Sequence, residues 1–339
     1  MHLRPLGSTG LQIAPLALGA GPVSTLMTGD DLEQQRAVVE RALSHGIRWI
    51  DTAATYGEGR SERNLGRVLE ELRSDGVAGA EGVHVATKVR LIGDDLRDIR
   101  TAVRRSVARS LERLRVTNVT LLQLHNSVTA ERGDEPTSLA VRDVLGPEGV
   151  ADVFDELRAA GLVRHVGLTG IGQAATLRQV VRSGRFQTLQ VPYHLLNPSA
   201  GTTVGEDFTE TNYGNIMADC AALGMGVFAI RALAGGALAG RPASPHTLKT
   251  PFFPLDLYRR DTERAAELRA RLAPGRRLEQ EAIRFAVSHR SVTAAIIGFG
   301  DPEQVDDAVA AIGTGEGSGA VQTEVAVNAT TKTAAKLVG

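Results

Sequence analysis

Eight short apolar runs recur along the chain, at 16–18, 47–50, 83–88, 119–125, 164–169, 188–191, 225–230 and 294–297. Their length and β-branched content predict strands, and the segments between most of them carry apolar residues at helical spacing. A first helix is expected to open near Asp30, with Glu33 completing a capping box and Leu32, Val39 and Leu43 on its apolar face, and to stop at Gly46. Ser61 reads as the N-cap of a second helix whose face is Leu65, Leu69 and Leu72. Ile99, Val103, Val107, Leu111 and Leu114 form the stripe of a third, with Arg104, Arg105 and Arg109 off it. Val150, Val153, Phe154 and Leu157 mark another, ended by Gly161. Regular alternation of strand and helix predicts a parallel sheet.

Two connections break the rhythm. The polar stretch 126–147 is long for a structureless loop, so it is either functional or mobile. The stretch 232–274 reads as the longest irregular segment, interrupted by Pro242, Pro245, Pro251 and Pro254. Phe252, Phe253 and Tyr258 cluster there in a chain only 4% aromatic, which suggests either a substrate lid or a packed structural loop. Beyond Gly313 no helical period is visible. That tail, 313–339, is expected to be flexible or to fold over a site, leaving 1–312 as one domain.

Chemistry-bearing residues sit where the strands end. The run at 47–50 stops at Asp51, with Tyr56 in the loop beyond; the next stops at Lys88 and the one after at His125. The three strand-end residues are spaced by 37 positions each, and a βα unit of roughly 30 to 40 residues fits an α/β barrel, whose reacting groups gather at the C-terminal rim. His165 precedes its strand end and reads as structural. The pair Gly19 and Gly21 lacks the following helix that a dinucleotide fingerprint requires, because Pro22 intervenes. Gly298, Phe299 and Gly300 after the last strand lead to Pro302, a first-turn proline, so a helix N-terminus opens there as an anion site. Arg231, at the end of the seventh strand, is either a pyrophosphate contact or part of a surface salt bridge.

Length, at 339 residues, is compatible with two domains or one large barrel. Hydrophobic content of 42% and charged content of 23% are those of a globular chain. A net charge of −1 gives no global field for nucleic acid or acidic lipid, so neither is an expected partner. The single cysteine, Cys220, cannot form an internal disulfide. With no apparent signal peptide or spanning segment, this fits a cytoplasmic protein. No metal site is expected, and the oligomeric state is not legible.

Asp51, Tyr56, Lys88 and His125, in this order and at successive strand ends, resemble the catalytic tetrad of the aldo-keto reductase family. The opening segment 3–13 is similar to that family's N-terminal hairpin, which plugs the barrel bottom, and the resemblance runs from about residue 2 to 312. It implies a (β/α)8 TIM barrel and an oxidoreductase that moves a hydride between NADP or NAD and the carbonyl or alcohol of a small aldehyde, ketone or aldose. Tyr56 would be the proton donor, its acidity raised by the Lys88 ammonium, with Asp51 holding Lys88 and His125 directing the substrate oxygen. Thr169 and Gln190 would hold the nicotinamide carboxamide. Gly170, where the family usually has Asn, offers no amide, and Ile230 replaces a usual aromatic. Arg231, Leu233, Gly298, Phe299, Gly300, Gln304 and Asp307 would complete the cofactor contacts.

The position that in NADP-preferring members carries Arg is Gly300 here, beside Asp301, which could accept a bond from a ribose hydroxyl; the family's adenine-contacting Asn is Ala308. The lean is therefore to NAD or dual use. The segments 167–170 and 298–308 are similar to the branch that oxidises aldoses at C1, which makes oxidation the alternative direction. A nicotinamide-binding regulatory subunit is the alternative of a different class.

Overall fold

The computed structural model describes residues 1–249 and 255–313. Eight parallel strands close into a barrel in sequential order. They are β1 (Leu16–Gly19), β2 (Trp49–Asp51), β3 (His84–Val89), β4 (Val119–Leu124), β5 (Val163–Thr169), β6 (Thr188–Pro192), β7 (Gly226–Ile230) and β8 (Val292–Ile297). The ring is completed by β8 pairing with β1, Ala295 opposite Leu16. The helices that follow the strands are α1 (Leu32–Ser44), α2 (Arg60–Ser74), α3 (Ile99–Leu114), α4 (Val150–Ala159), α5 (Ala174–Arg182), α6 (Ile216–Ala222), α7 (Leu278–Ser288) and α8 (Pro302–Gly313). The barrel expected from the sequence is the barrel observed.

Two apolar layers hold it. The larger lies between strands and helices, where Val38, Val68, Val103, Phe154 and Val180 are fully buried. The smaller fills the barrel interior with Ala17, Trp49, Ala86, Leu121, Phe228 and Ala294, and Trp49 packs on Phe228 at a centroid distance of 5.0 Å. The expected N-terminal hairpin pairs Arg4–Pro5 with Gln12–Ile13 and sends Leu6 and Ile13 into this inner layer from below. Leu6 is fully buried, which contributes roughly 1.5–3 kcal/mol. It can enter only because β7 starts with Gly226, where a Cβ would stand 2.5 Å from a Leu6 methyl.

Several local expectations are corrected. α1 is capped by Asp31, not Asp30: its carboxylate accepts from the Gln34 amide at 3.0 Å. Leu32 consequently faces solvent, 46% exposed, and the buried face is Gln35, Val38, Val39, Ala42 and Leu43. Ser61 is inside α2, because Gly59, at φ 82°, makes the turn; its hydroxyl donates to the Ala20 carbonyl at 2.8 Å and ties α2 to the end of β1. The basic residues of α3 are an outer face, Arg104 reaching Glu156 and Arg105 reaching Asp95, each at 2.7 Å.

The stretch 126–147 is ordered by two short parallel strands, Val128–Thr129 and Leu139–Ala140, and a helical turn, Val141–Leu145. The buried Ser138 hydroxyl accepts from Thr129 Oγ1, Gly133 N and Glu135 N and gathers the intervening loop. The stretch 232–274 is also not irregular. It contains a 3-10 segment, Ala234–Ala239, a short helix, Pro245–Lys249, and a 16-residue helix, Leu255–Ala270. Phe252, Phe253 and the tail after Gly313 lie outside the described residues. Among the described residues no helix is long and apolar enough to cross a membrane.

Candidate active site

Strand register brings the three strand-end residues and the loop residue Tyr56 together. Asp51 ends β2, and Lys88, the penultimate residue of β3, points into the barrel mouth beside it. Their side chains form a buried ion pair, Lys88 2% and Asp51 4% exposed. Lys88 Nζ also donates to the Thr52 carbonyl at 2.8 Å and to Tyr56 Oη at 3.3 Å. Burial opposes the ammonium, yet the charge of Asp51 and the phenol of Tyr56 outweigh it and hold the Lys88 pKa above its ordinary value. A buried pair of this kind survives only with its remaining valences satisfied. Here they are: the second oxygen of Asp51 accepts from Gln123 Nε2 at 3.1 Å and from Gln190 Nε2 at 2.5 Å.

His125 stands beyond the end of β4, its amide donating to the Val89 carbonyl at 2.8 Å. Its ring meets Tyr56 edge-on, with centroids 5.6 Å apart at 81°, and Nδ1 lies 3.4 Å from Thr55 Oγ1. Burial first, then the charges of Lys88 and Arg90, push its pKa well below the ordinary 6.5. The imidazole is therefore neutral at physiological pH and can donate from one nitrogen while accepting at the other.

Above these residues opens a cavity of about 820 Å³. Among its lining residues are Tyr56, Lys88 and His125, then Gly19, Gly21, Ser24 and Gly298, and also Thr169, Gln190, Ile230, Arg231 and Leu233. Gly298 stands against Ser24, whose Cβ would be 3.2 Å from a Cβ placed there. Gly21 borders the phenol: a Cβ there would lie 3.6 Å from the Tyr56 ring. Arg231 and Ala234 have positive φ, 56° and 48°, and with Gly235 and Gly236 bend the chain across the mouth. Arg241 follows, exposed, and donates to Gln304 Oε1 at 2.8 Å. Apolar side chains near the reacting groups and arginines farther along suit a nicotinamide nucleotide, whose ring is flat and whose phosphates are anionic.

The turn at the start of α8 is more occupied than its sequence implies. Asp301 caps the helix, its carboxylate accepting from both the backbone and the side-chain nitrogen of Gln304. Gln304 Oε1 in turn accepts from Gly300 N at 2.8 Å. Two N–H groups of the anion site are thus held by the turn's own side chains, and Asp301 is engaged rather than turned toward a ribose.

The chain matches the family model described as the Aldo/keto reductase family over residues 15–315. The chain belongs to this family. Among curated relatives of this aldo/keto reductase is L-galactose dehydrogenase of Arabidopsis thaliana, 24% identical over 92% of the chain and 88% of that protein. Another is D-threo-aldose 1-dehydrogenase of a Pseudomonas species, 27% identical over 88% of the chain and 89% of that protein. Its fold is similar to that of the aldo-keto reductase AKR11C1 from Bacillus halodurans in its holo form. That match has a TM-score of 0.66 and 21% identity, covering 92% of this chain and 91% of the other. This aldo/keto reductase is an NAD(P)-dependent oxidoreductase of the carbonyl–alcohol class.

Asp51, Tyr56, Lys88 and His125 are brought together as expected. Thr169 and Gln190 are also at the cavity, but each already has a bond: Thr169 Oγ1 donates to the Leu124 carbonyl at 3.0 Å and Gln190 donates to Asp51. Arg231, Leu233 and Gly298 line the cavity, whereas the Phe299 side chain is buried in the core and Asp307 pairs with Arg277 at 2.9 Å. Gln123, Arg90, Ser127 and Arg241 were not singled out from the sequence. A signal existed for Gln123, which lies two residues before His125 and so shares its face of β4.

Proposed function

We propose that Tyr56 exchanges the proton and His125 orients the oxygen in a reversible hydride transfer between a nicotinamide and a small carbonyl compound. The observation that carries this is the Lys88 ammonium, fixed by Asp51 and standing 3.3 Å from the Tyr56 oxygen. Bound nicotinamide supplies the hydride in reduction and takes it up in oxidation. As the carbonyl carbon gains the hydride, its oxygen takes the proton from Tyr56, and Lys88 stabilises the phenolate left behind. Neutral His125 donates to the same oxygen without competing as an acid. In the oxidative direction the phenolate receives the alcohol proton and each step reverses.

Thr169 and Gln190 are the residues proposed to hold the carboxamide, with Ile230 against the ring. Arg231 and Leu233 would lie along the pyrophosphate. The backbone of Gly298, Phe299 and Gly300, with Gln304 and Asp307, would flank the adenosine. Arg241 compensates for the missing side chain of Gly300, since it already reaches Gln304. A 2′-phosphate would attract it from that neutral amide to a charge-assisted bond. Use of both NAD and NADP follows. The names of the two curated relatives favour aldose oxidation as the physiological reaction, and one of them specifies position 1; it would take place in the cytoplasm, with residues 1–312 acting as one unit.

Nicotinamide absorbance, followed with simple aldehydes and each reduced cofactor and with aldoses and each oxidised cofactor, tests the reading. Turnover of aldoses exceeding that of aldehydes assigns the oxidative direction. Cofactor binding without turnover of any substrate would replace the enzyme reading with the regulatory one.

A further inference from the structure

Beneath the reacting groups the barrel interior is not wholly apolar. Strand register sets Lys88 of β3 beside Gln123 of β4, Gln123 beside Gly167 of β5, and Gly167 beside Thr188 of β6. Gln123 and Thr188 are fully buried, and Gln123 does not line the cavity above. Gly167 gives the two side chains their room: a Cβ there would stand 2.1 Å from Thr188 Oγ1 and 3.4 Å from Gln123 Cγ. Gln123 Nε2 donates to Asp51 Oδ2 at 3.1 Å. A carboxylate only accepts, so the amide nitrogen must face Asp51 and the amide oxygen must face away. That oxygen has no hydrogen-bond partner among the described residues. A buried carbonyl in that condition costs stability, and an apolar side chain of similar volume would avoid the cost. Packing alone therefore gives no reason for an amide at this position. The bond to Asp51 gives one.

What that bond controls lies two contacts away. An ammonium has three donors, and all three of Lys88 are engaged, with Asp51 Oδ1, the Thr52 carbonyl and Tyr56 Oη. The Tyr56 contact is the longest, at 3.3 Å, so it is the first to fail if the ammonium shifts. Asp51 sets where the ammonium stands, and Asp51 is itself held from β4 by Gln123 and from β6 by Gln190. Gln190 lines the cavity and is also the proposed carboxamide contact, so its hold is shared with the cofactor. Among the described residues the Gln123 side chain is bonded to Asp51 alone.

We infer that Gln123 is a positioning residue for the proton transfer: by fixing the Asp51 carboxylate from below, it keeps the Lys88 ammonium within reach of the Tyr56 oxygen. The inference rests on the hydride-transfer reading above, and Gln123 acts from outside the cavity. The other charged or titratable groups lining that cavity are Glu58, Arg90, His125, Arg231, Arg241 and His246. His125 meets the Tyr56 ring edge-on, and the fields of Arg90 and Arg231 reach its phenol. None of these groups is bonded to Gln123, so a substitution there reaches Tyr56 through Asp51 and Lys88.

The test is a double-mutant cycle of Gln123→Met and Tyr56→Phe, read by single-turnover hydride transfer. Gln123→Met alone should slow the step by about tenfold or more, the scale of a displaced reacting group. It should also move the alkaline limb of the reductive rate profile to higher pH, because an ammonium farther from the phenol favours its ionised form less. In the Tyr56→Phe background the same substitution should change the rate by less than about twofold, since the contact it protects is gone. Equal slowing in both backgrounds, or a limb that does not move in Gln123→Met, shows a merely structural amide and overturns the inference. Should Gln123→Met not fold, Gln123→Asn takes its place with the same expected outcomes, since it keeps the amide but draws it back from Asp51 by one methylene. A rate near wild type in Tyr56→Phe alone would instead remove the proton-donor reading, and the inference with it.

Discussion

Replacing Tyr56 with Phe separates chemistry from architecture, because the structure gives the hydroxyl little structural work. It is bonded to Lys88 Nζ at 3.3 Å, a long bond, and Lys88 keeps Asp51 and the Thr52 carbonyl when it is lost. A hydrogen bond donated by a charged group is worth about 1.5–3 kcal/mol of stability, and at 3.3 Å this one belongs at the low end of that range. Tyr56 is only partly buried and Phe preserves its edge-on contact with His125, so packing is retained. Loss of a positioned general acid, by contrast, costs about 10²–10⁴ in rate, which is about 2.7–5.4 kcal/mol of transition-state stabilisation. With so long a bond the stability cost stays near the low end of its range, and the rate effect is the larger of the two. Single-turnover absorbance should show hydride transfer slowed at least a hundredfold, on the order expected for a lost acid, while cofactor affinity by fluorescence titration and the thermal midpoint stay near wild type. A hydride-transfer rate within tenfold of wild type would refute Tyr56 as the proton donor and point to water or His125.

Lys88→Met should leave Asp51 buried beside only the two amides of Gln123 and Gln190 and destabilise the fold by about 3–5 kcal/mol, the usual cost of breaking a buried pair. Adding Asp51→Asn should recover much of the thermal midpoint but not the activity; recovery of both would show the pair is structural only. The His125 pKa is depressed by burial, Lys88 and Arg90, so in the unfolded chain this residue takes up a proton near pH 6.5 that the folded chain refuses. Its contribution to stability is accordingly present above that pH and lost as the pH falls toward the depressed folded value. Imidazole NMR at pH 6 should find His125 neutral, and a charged ring there would contradict its assigned role. Arg241→Ala should lower the NADP-to-NAD ratio of kcat/KM, and Gly300→Arg should raise it. An unchanged ratio in both would place the 2′-phosphate contact elsewhere.

Much of the barrel was legible because its periodicity is regular: each strand run lies within a residue or two of its observed bounds, and the reacting residues terminate three of them. What escaped detection depends on contacts distant in sequence or on masked periodicity. The helix Leu255–Ala270 was hidden because arginines and acids crowd it and prolines precede it in the sequence. Ser61 has the residue type of a cap, but the turn chosen by Gly59 moved it inward to bind the Ala20 carbonyl. The order of 126–147 depends on Ser138 and Asn126, whose partners no periodicity reveals. Asp301 reads from the sequence as a possible ribose contact; its carboxylate instead accepts from the Gln304 amide, a bond within the turn that the ribose reading did not consider.

The bond from Gln190 to Asp51 has a stereochemical consequence. A carboxylate can only accept, so the Gln190 amide must turn its nitrogen inward, and its oxygen remains as the group available to a carboxamide. That fixes one end of the side chain as an acceptor, and under the proposed contact a nicotinamide carboxamide would present its N–H there. Under that proposal the ring would be held in one orientation, with one side toward the reacting groups. A cofactor carrying deuterium at one of its two diastereotopic C4 positions should deliver either all of the label or none.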